Sequence, residues 1–255
     1  LPTIEIAGES LFYARRLAKG TKSSLVLVHG AGGTHRHWGH QLRWLQGANL
    51  YALDLPGHGR SAGGGRASVD AYAASLQAFL EALGLTRAIL AGHSMGGAIV
   101  QLLALEHSSM VGGLILVGTG ARLRVLPSLL DGLANDFEET IEALLGYAYS
   151  ASAPTDLVEL GRQEWLANSP EVIRGDFLAC DRFDVMDRLG KIHCPTLVLC
   201  GEEDSLTPPK YSHLLRDSIA DAALTVIPDA GHMVMLEQPQ RVNRAIEEFL
   251  QTTVA

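Results

Sequence analysis

At 255 residues, with 47% hydrophobic and 19% charged residues, the chain has the apolar content of one α/β domain and lies far from a disordered composition. Its 20 lysines and arginines face 28 acidic residues, a net charge of −8 with no clustered basic window, which argues against nucleic acid as a partner. Cys180, Cys194 and Cys200 lack the spacing of a disulfide framework or zinc knuckle, no apolar run reaches the ~18 residues of a membrane helix, and the N-terminal order is not that of a signal peptide; the expectation is a cytoplasmic protein needing neither metal nor cofactor.

In chain order, residues 2–6 and 11–17 read as an N-terminal antiparallel pair. Six short apolar runs follow, at 24–29, 49–54, 87–92, 113–117, 195–200 and 223–227. They show little apolar–polar alternation, which predicts strands buried on both faces of a parallel sheet. Helical periodicity falls between them. Residues 69–83 place Tyr72, Leu76, Phe79, Leu80 and Leu83 on one stripe before the stop signal Gly84, and 95–106 continues as a helix from a glycine-rich turn. The last helix starts at Pro239, tolerated in a first turn, and aligns Val242, Ala245, Ile246, Phe249 and Leu250.

Residues 122–179 break this alternation with helix-like segments at 126–133, 136–149, 156–168 and 171–179 and no clear strand. They predict a helical insertion dividing a core of 1–121 and 180–255, and an insertion of that length is expected to act as a lid over a binding site.

The chemistry-bearing signal is Gly92-His93-Ser94-Met95-Gly96, between an apolar run and a helical pattern. A serine on such a strand-to-helix turn is lifted above the sheet next to helix-terminal amides that favour developing negative charge. By itself the pattern also fits a glycine-rich helix start with a capping serine. A serine hydroxyl needs a base and a group to orient that base, and in this architecture both follow in the order acid, then histidine, after late strands. His232 lies in the loop beyond the last predicted strand, whereas His35, His37, His40, His58, His107, His193 and His213 have surface or packing readings. Asp204, Glu202, Glu203 and Asp229 compete for the acid role. The segment His29-Gly30-Ala31-Gly32-Gly33 ends the first central strand, and the N–H groups of Ala31 and Met95 are candidate oxyanion donors.

These segments, with the loop Asp54-Leu55-Pro56-Gly57-His58-Gly59-Arg60-Ser61 and the stretch 201–208 (GEEDSLTP), resemble the α/β-hydrolase superfamily over nearly the whole chain. The resemblance implies an eight-stranded, mostly parallel sheet flanked by helices, with a small helical cap after the sixth strand. It also selects Asp204 as the acid, giving Ser94, Asp204 and His232 as the catalytic set. Relatives with this motif set include carboxylesterases, enol-lactonases, carbon–carbon bond hydrolases and cofactor-free perhydrolases, and a hydrolase-like ligand receptor is the alternative from another class. Relatives that dehalogenate or open epoxides carry aspartate at the position of Ser94.

The expected activity is hydrolysis of small to medium carboxylic esters through an acyl-enzyme, with a small-molecule ester as substrate and neither nucleic acid nor membrane engaged. Residues 122–179 hold 4 arginines against 10 acidic residues, a charge of −6 that disfavours polyanionic substrates and acidic carrier proteins. Gly30, Tyr147, Tyr149 and Trp165 are expected at the substrate, with leucines of the same insertion, such as Leu126 and Leu129, beside them.

Overall fold

Strand pairing in the computed structural model, which describes residues 2–253, turns the sequence runs into one eight-stranded sheet. The elements in order are β1 (Thr3–Ile6), β2 (Glu9–Arg16), β3 (Ser24–Val28), α1 (Gly39–Trp44), β4 (Asn49–Leu53), α2 (Val69–Ala82), β5 (Ala88–His93) and α3 (Met95–Glu106). There follow β6 (Val111–Val117), α4 (Pro127–Asn135), α5 (Phe137–Ala148), α6 (Thr155–Leu166), α7 (Pro170–Arg182), β7 (Thr196–Gly201), α8 (Pro209–Ser218), β8 (Ala222–Ile227), α9 (Val234–Glu237) and α10 (Pro239–Thr253). The sheet order is β1-β2-β4-β3-β5-β6-β7-β8, antiparallel where β2 meets β1 and β4 and parallel from β4 onward.

Helix starts follow local chemistry. The Ser68 hydroxyl accepts from the Ala71 amide and caps α2, while α4, α7, α8 and α10 each begin with a proline, whose missing N–H would have no helical partner there. Two apolar layers sandwich the sheet. One packs Leu76, Phe79, Ile99, Leu103 and Leu215 from α2, α3 and α8 against one face. The other joins Trp38, Val242, Ile246 and Leu250 on the opposite face to Leu133, Ile141 and Leu144 of α4 and α5.

One expectation fails at the sheet edge. β8 was expected to be buried on both faces, yet it alternates between half-buried and exposed positions, with Val226 left 37% exposed. Its only strand neighbour is β7, so the edge lacks the cover that central strands receive. Helix α8 and the short 3-10 turn His35–Trp38 are elements not marked among the expected helices. No helix among the described residues is long and apolar enough to cross a membrane.

Candidate active site

The end of β5 delivers Ser94 in a left-handed conformation, φ 53° and ψ −117°, a strained geometry for a residue with a side chain. Its surroundings hold it there. The Ser94 amide donates to the Val117 carbonyl at 2.9 Å, and the Ser94 carbonyl accepts from the Thr119 hydroxyl at 2.8 Å and from the Gly97 amide at 2.9 Å. Glycine is required on both sides: a Cβ on Gly92 would lie 2.2 Å from the Gly96 carbonyl oxygen, and one on Gly96 would lie 2.4 Å from that of Val28.

Loops after β7 and β8 bring Asp204 and His232 together. His232 Nδ1 lies 3.0 Å from Asp204 Oδ2 and 3.1 Å from Oδ1, both side chains being buried. The carboxylate also accepts from the Thr207 hydroxyl at 2.8 Å and from the amides of Thr207 at 2.8 Å and Leu206 at 3.0 Å. Burial raises the Asp204 pKa, but the charge and hydrogen bond of His232 and the Thr207 donors outweigh it, so the net direction is down. An ionised Asp204 fixes the proton of His232 on Nδ1 and leaves Nε2 as the ring nitrogen able to accept.

Ser94 and His232 line one cavity of about 260 Å³, and the described structure hydrogen-bonds neither Ser94 Oγ nor His232 Nε2 to a protein group. The competing acids are elsewhere. Glu202 and Glu203 are exposed, Glu203 accepting from the Ala151 amide at 3.3 Å, and exposed Asp229 faces Arg241 at 3.8 Å.

The segment after β3 forms the facing wall. Leu55 donates its amide to His29 Nε2 at 3.0 Å, which places the ring proton on Nδ1 for donation to the Gly30 carbonyl at 2.8 Å. Gly30 O also accepts from the Gly33 amide at 3.1 Å. That carbonyl belongs to the peptide whose N–H is that of Ala31, so the orientation of this N–H is pinned from behind. Burial, then the neighbouring His58 charge, pushes the His29 imidazole down to about 3 and keeps it neutral. Ala31 lines the cavity, Met95 opens α3, and neither amide donates to another group among the described residues.

His93 completes the surroundings of His232. Its Nε2 donates to the His232 carbonyl at 3.0 Å, and burial followed by the charges of His232 and His37 holds its pKa well below the usual imidazole value. Sequence reading attached no role to this histidine or to Thr207, although both sit beside motif residues.

The expected substrate residues separate. Trp165 and half-exposed Tyr147 line the Ser94 cavity, together with Leu126 and Leu129. Tyr149 does not. It borders a different cavity of about 640 Å³ between the His35–Trp38 turn and α6, because it follows the last turn of α5 on the side that packs against Gly161. Gly30 lies under the site rather than at its surface, a Cβ there falling 3.0 Å from Ser94 Cβ and from His93 Nδ1. Leu123, Val125, Phe177, Leu206 and Met233 are lining residues that sequence periodicity left unmarked.

Buried polar groups join the inserted helices to the core. Glu164 of α6 accepts from the Thr34 hydroxyl and lies 3.4 Å from His37 Nε2. Burial raises its pKa, but the His37 hydrogen bond and charge and the Thr34 hydroxyl bring it down to about 2. His58, read as a surface or packing residue, is buried and donates Nε2–H to Asp176 of α7 at 2.7 Å.

Residues 25–245 match the alpha/beta hydrolase family. In sequence the chain is similar to the 2-hydroxy-6-oxo-6-phenylhexa-2,4-dienoate hydrolase of Burkholderia cepacia, at 29% identity over 97% of this chain and 94% of that protein. In structure it is similar to a thermophilic esterase, at 36% identity and TM-score 0.88 over 99% of this chain and 97% of the other. It is also similar to a thermophilic esterase from Thermogutta terrifontis, at 30% identity and TM-score 0.88 over 98% and 97% of the two chains.

Proposed function

The chain belongs to the alpha/beta hydrolase family, and from that premise we propose that it is a serine hydrolase cleaving carboxylic esters of small to medium molecules through an acyl-enzyme. The observation that carries this reading is the buried Asp204–His232 pair, joined at 3.0 Å, sharing a cavity with a serine held at φ 53°.

In this mechanism Ser94 Oγ attacks the ester carbonyl carbon while His232 Nε2 takes its proton. Asp204 keeps the ring in the accepting tautomer and stabilises the imidazolium. The carbonyl oxygen becomes an oxyanion facing the Ala31 and Met95 N–H groups, each such donor being worth about 3 kcal/mol in a transition state. Collapse expels the alcohol with the proton from His232. Water then repeats the sequence on the acyl-serine and releases the acid.

The lining favours an uncharged acyl group. Leu123, Leu126, Leu129, Leu206, Phe177 and Met233 form its apolar part beside hydroxyl and histidine groups, and its one arginine, Arg124, is exposed and donates to the Asp181 carbonyl at 2.8 Å. Carbon–carbon cleavage of a dienoate is the second reading, favoured by similarity to the Burkholderia cepacia hydrolase. A dienoate carboxylate would call for a buried cation, which supports the ester reading over it. Residues 122–179 are proposed to act as the cap that shapes this cavity.

Fluorophosphonate labelling tests the nucleophile. Wild type is expected to take one label, and Ser94→Ala none while keeping its fold; label on another serine in the variant would refute the assignment. Assays on aryl esters of graded acyl length, beside lactone, peracid and dienoate substrates, rank the activities.

A further inference from the structure

Resting on the serine-hydrolase reading, we infer that Asp176 and Asn168 of the inserted helical region are positioning residues for the oxyanion loop, so that the Ala31 N–H is aimed correctly only while these helices are docked. Both polar groups of Gly32, the residue after Ala31, are held from that region. Its N–H donates to Asp176 Oδ2 at 2.9 Å, and its carbonyl accepts from Asn168 Nδ2 at 2.9 Å. Gly32 is left-handed at φ 62°, and a Cβ there would lie 3.0 Å from Ile173 Cδ1 and 3.4 Å from Trp165 Cδ1, so the loop is wedged beneath α6 and α7.

Asp176 is anchored independently of the loop. It is fully buried, with Oδ2 also taking His58 Nε2–H at 2.7 Å and Oδ1 taking the Tyr72 hydroxyl at 2.5 Å. His58 in turn contacts the Pro56 carbonyl at 3.1 Å through Nδ1. The Gly32 N–H is thus the third donor to a buried carboxylate that is held in place by a histidine and a tyrosine from the core. The bond to Gly32 sets the plane of the Ala31–Gly32 peptide, while the His29 bond to Gly30 O sets the plane before it. Between them the two planes determine where the Ala31 N–H points.

The experiment compares wild type, Asp176→Asn and the milder Asn168→Ala, with active sites titrated by fluorophosphonate so that misfolded protein is not counted. Per titrated site, kcat on a short aryl ester should fall at least about tenfold in Asp176→Asn and about threefold in Asn168→Ala, with KM within about twofold of wild type. Affinity for a trifluoromethyl ketone, which forms the tetrahedral adduct, should fall in the same proportion. Variants that melt earlier but retain wild-type kcat per site and ketone affinity would reduce these contacts to structural support and overturn the inference. A wild type that turns over no ester defeats the ester-hydrolase reading instead. Amide hydrogen exchange at residues 31–33 then decides the clamp: faster exchange in Asp176→Asn supports it, and unchanged exchange overturns it.

Discussion

The acid role shows how much the surroundings of one side chain decide. Four carboxylates follow the late strands, but only Asp204 is buried against His232 with Thr207 and two amides filling its remaining lone pairs. Asp204→Asn is expected to lower kcat by about 10⁴, because an amide in that place favours the wrong histidine tautomer. Glu203→Gln, exposed and bonded only to the Ala151 amide, should leave kcat within about twofold of wild type, as surface changes away from such networks generally do. Steady-state kinetics on one aryl ester checks both, and equal small losses would remove Asp204 from the role.

Among the elements, α6 and α7 join the core through charges as well as apolar surface. Glu164 supplies stability when ionised, since its pKa is held near about 2, below the 4.5 of a free glutamate. A lowered carboxylate pKa stabilises fully above the unfolded value and loses that contribution as pH falls through the folded one. Wild type should therefore exceed Glu164→Gln in stability at pH 6, with the difference shrinking from pH 4.5 downward and gone only below about pH 2. Urea midpoints across that range measure it; a constant difference would mean that the bonds, not the charge, matter. Trp165 of α6 tests the selectivity of the same region. It lines the cavity at 7% exposure, so Trp165→Ala should lower kcat/KM for long acyl esters before short ones. An equal shift for every ester would make the residue a support and not a selector. Asp176 and Asn168 differ from Trp165 in that they hydrogen-bond the loop carrying Ala31, so changes there should alter turnover of every ester alike.

For the whole molecule, the inserted helices and the sheet share one apolar layer. Leu133, Ile141 and Leu144 belong to the same buried cluster as Ile115, Val117 and Ile246. Unfolding should be one cooperative transition, with far-ultraviolet circular dichroism and tryptophan fluorescence coinciding, since Trp38 reports the core and Trp165 the insertion. Ile246→Ala, fully buried on α10, should cost about 2–5 kcal/mol and shift both signals together. Two separated transitions would show that the insertion folds independently.

Local chemistry made much of this legible in the chain alone. A strand needs a short apolar run, a helix needs a repeating stripe with start and stop residues, and the Ser94 turn needs glycine where a Cβ would fall within 2.4 Å of neighbouring backbone; each requirement leaves its mark within a few residues. Most of the elements and the Ser94 turn were readable for that reason, whereas Asp204 was separated from Glu202, Glu203 and Asp229 only by the family resemblance. Partner choice across the fold leaves no such mark. Nothing near Asp176 announces Gly32, which is 144 positions away, or His58, and nothing in the aromatic pattern of α5 places Tyr147 on the Ser94 cavity while turning Tyr149 to another. Likewise the β8 run resembles its buried neighbours, and only its place at the sheet margin exposes it. Periodicity reports that a side chain is buried; the docking of helices 127 to 182 onto the sheet decides what it is buried against, and there Gly32 gains its bonds to Asp176 and Asn168.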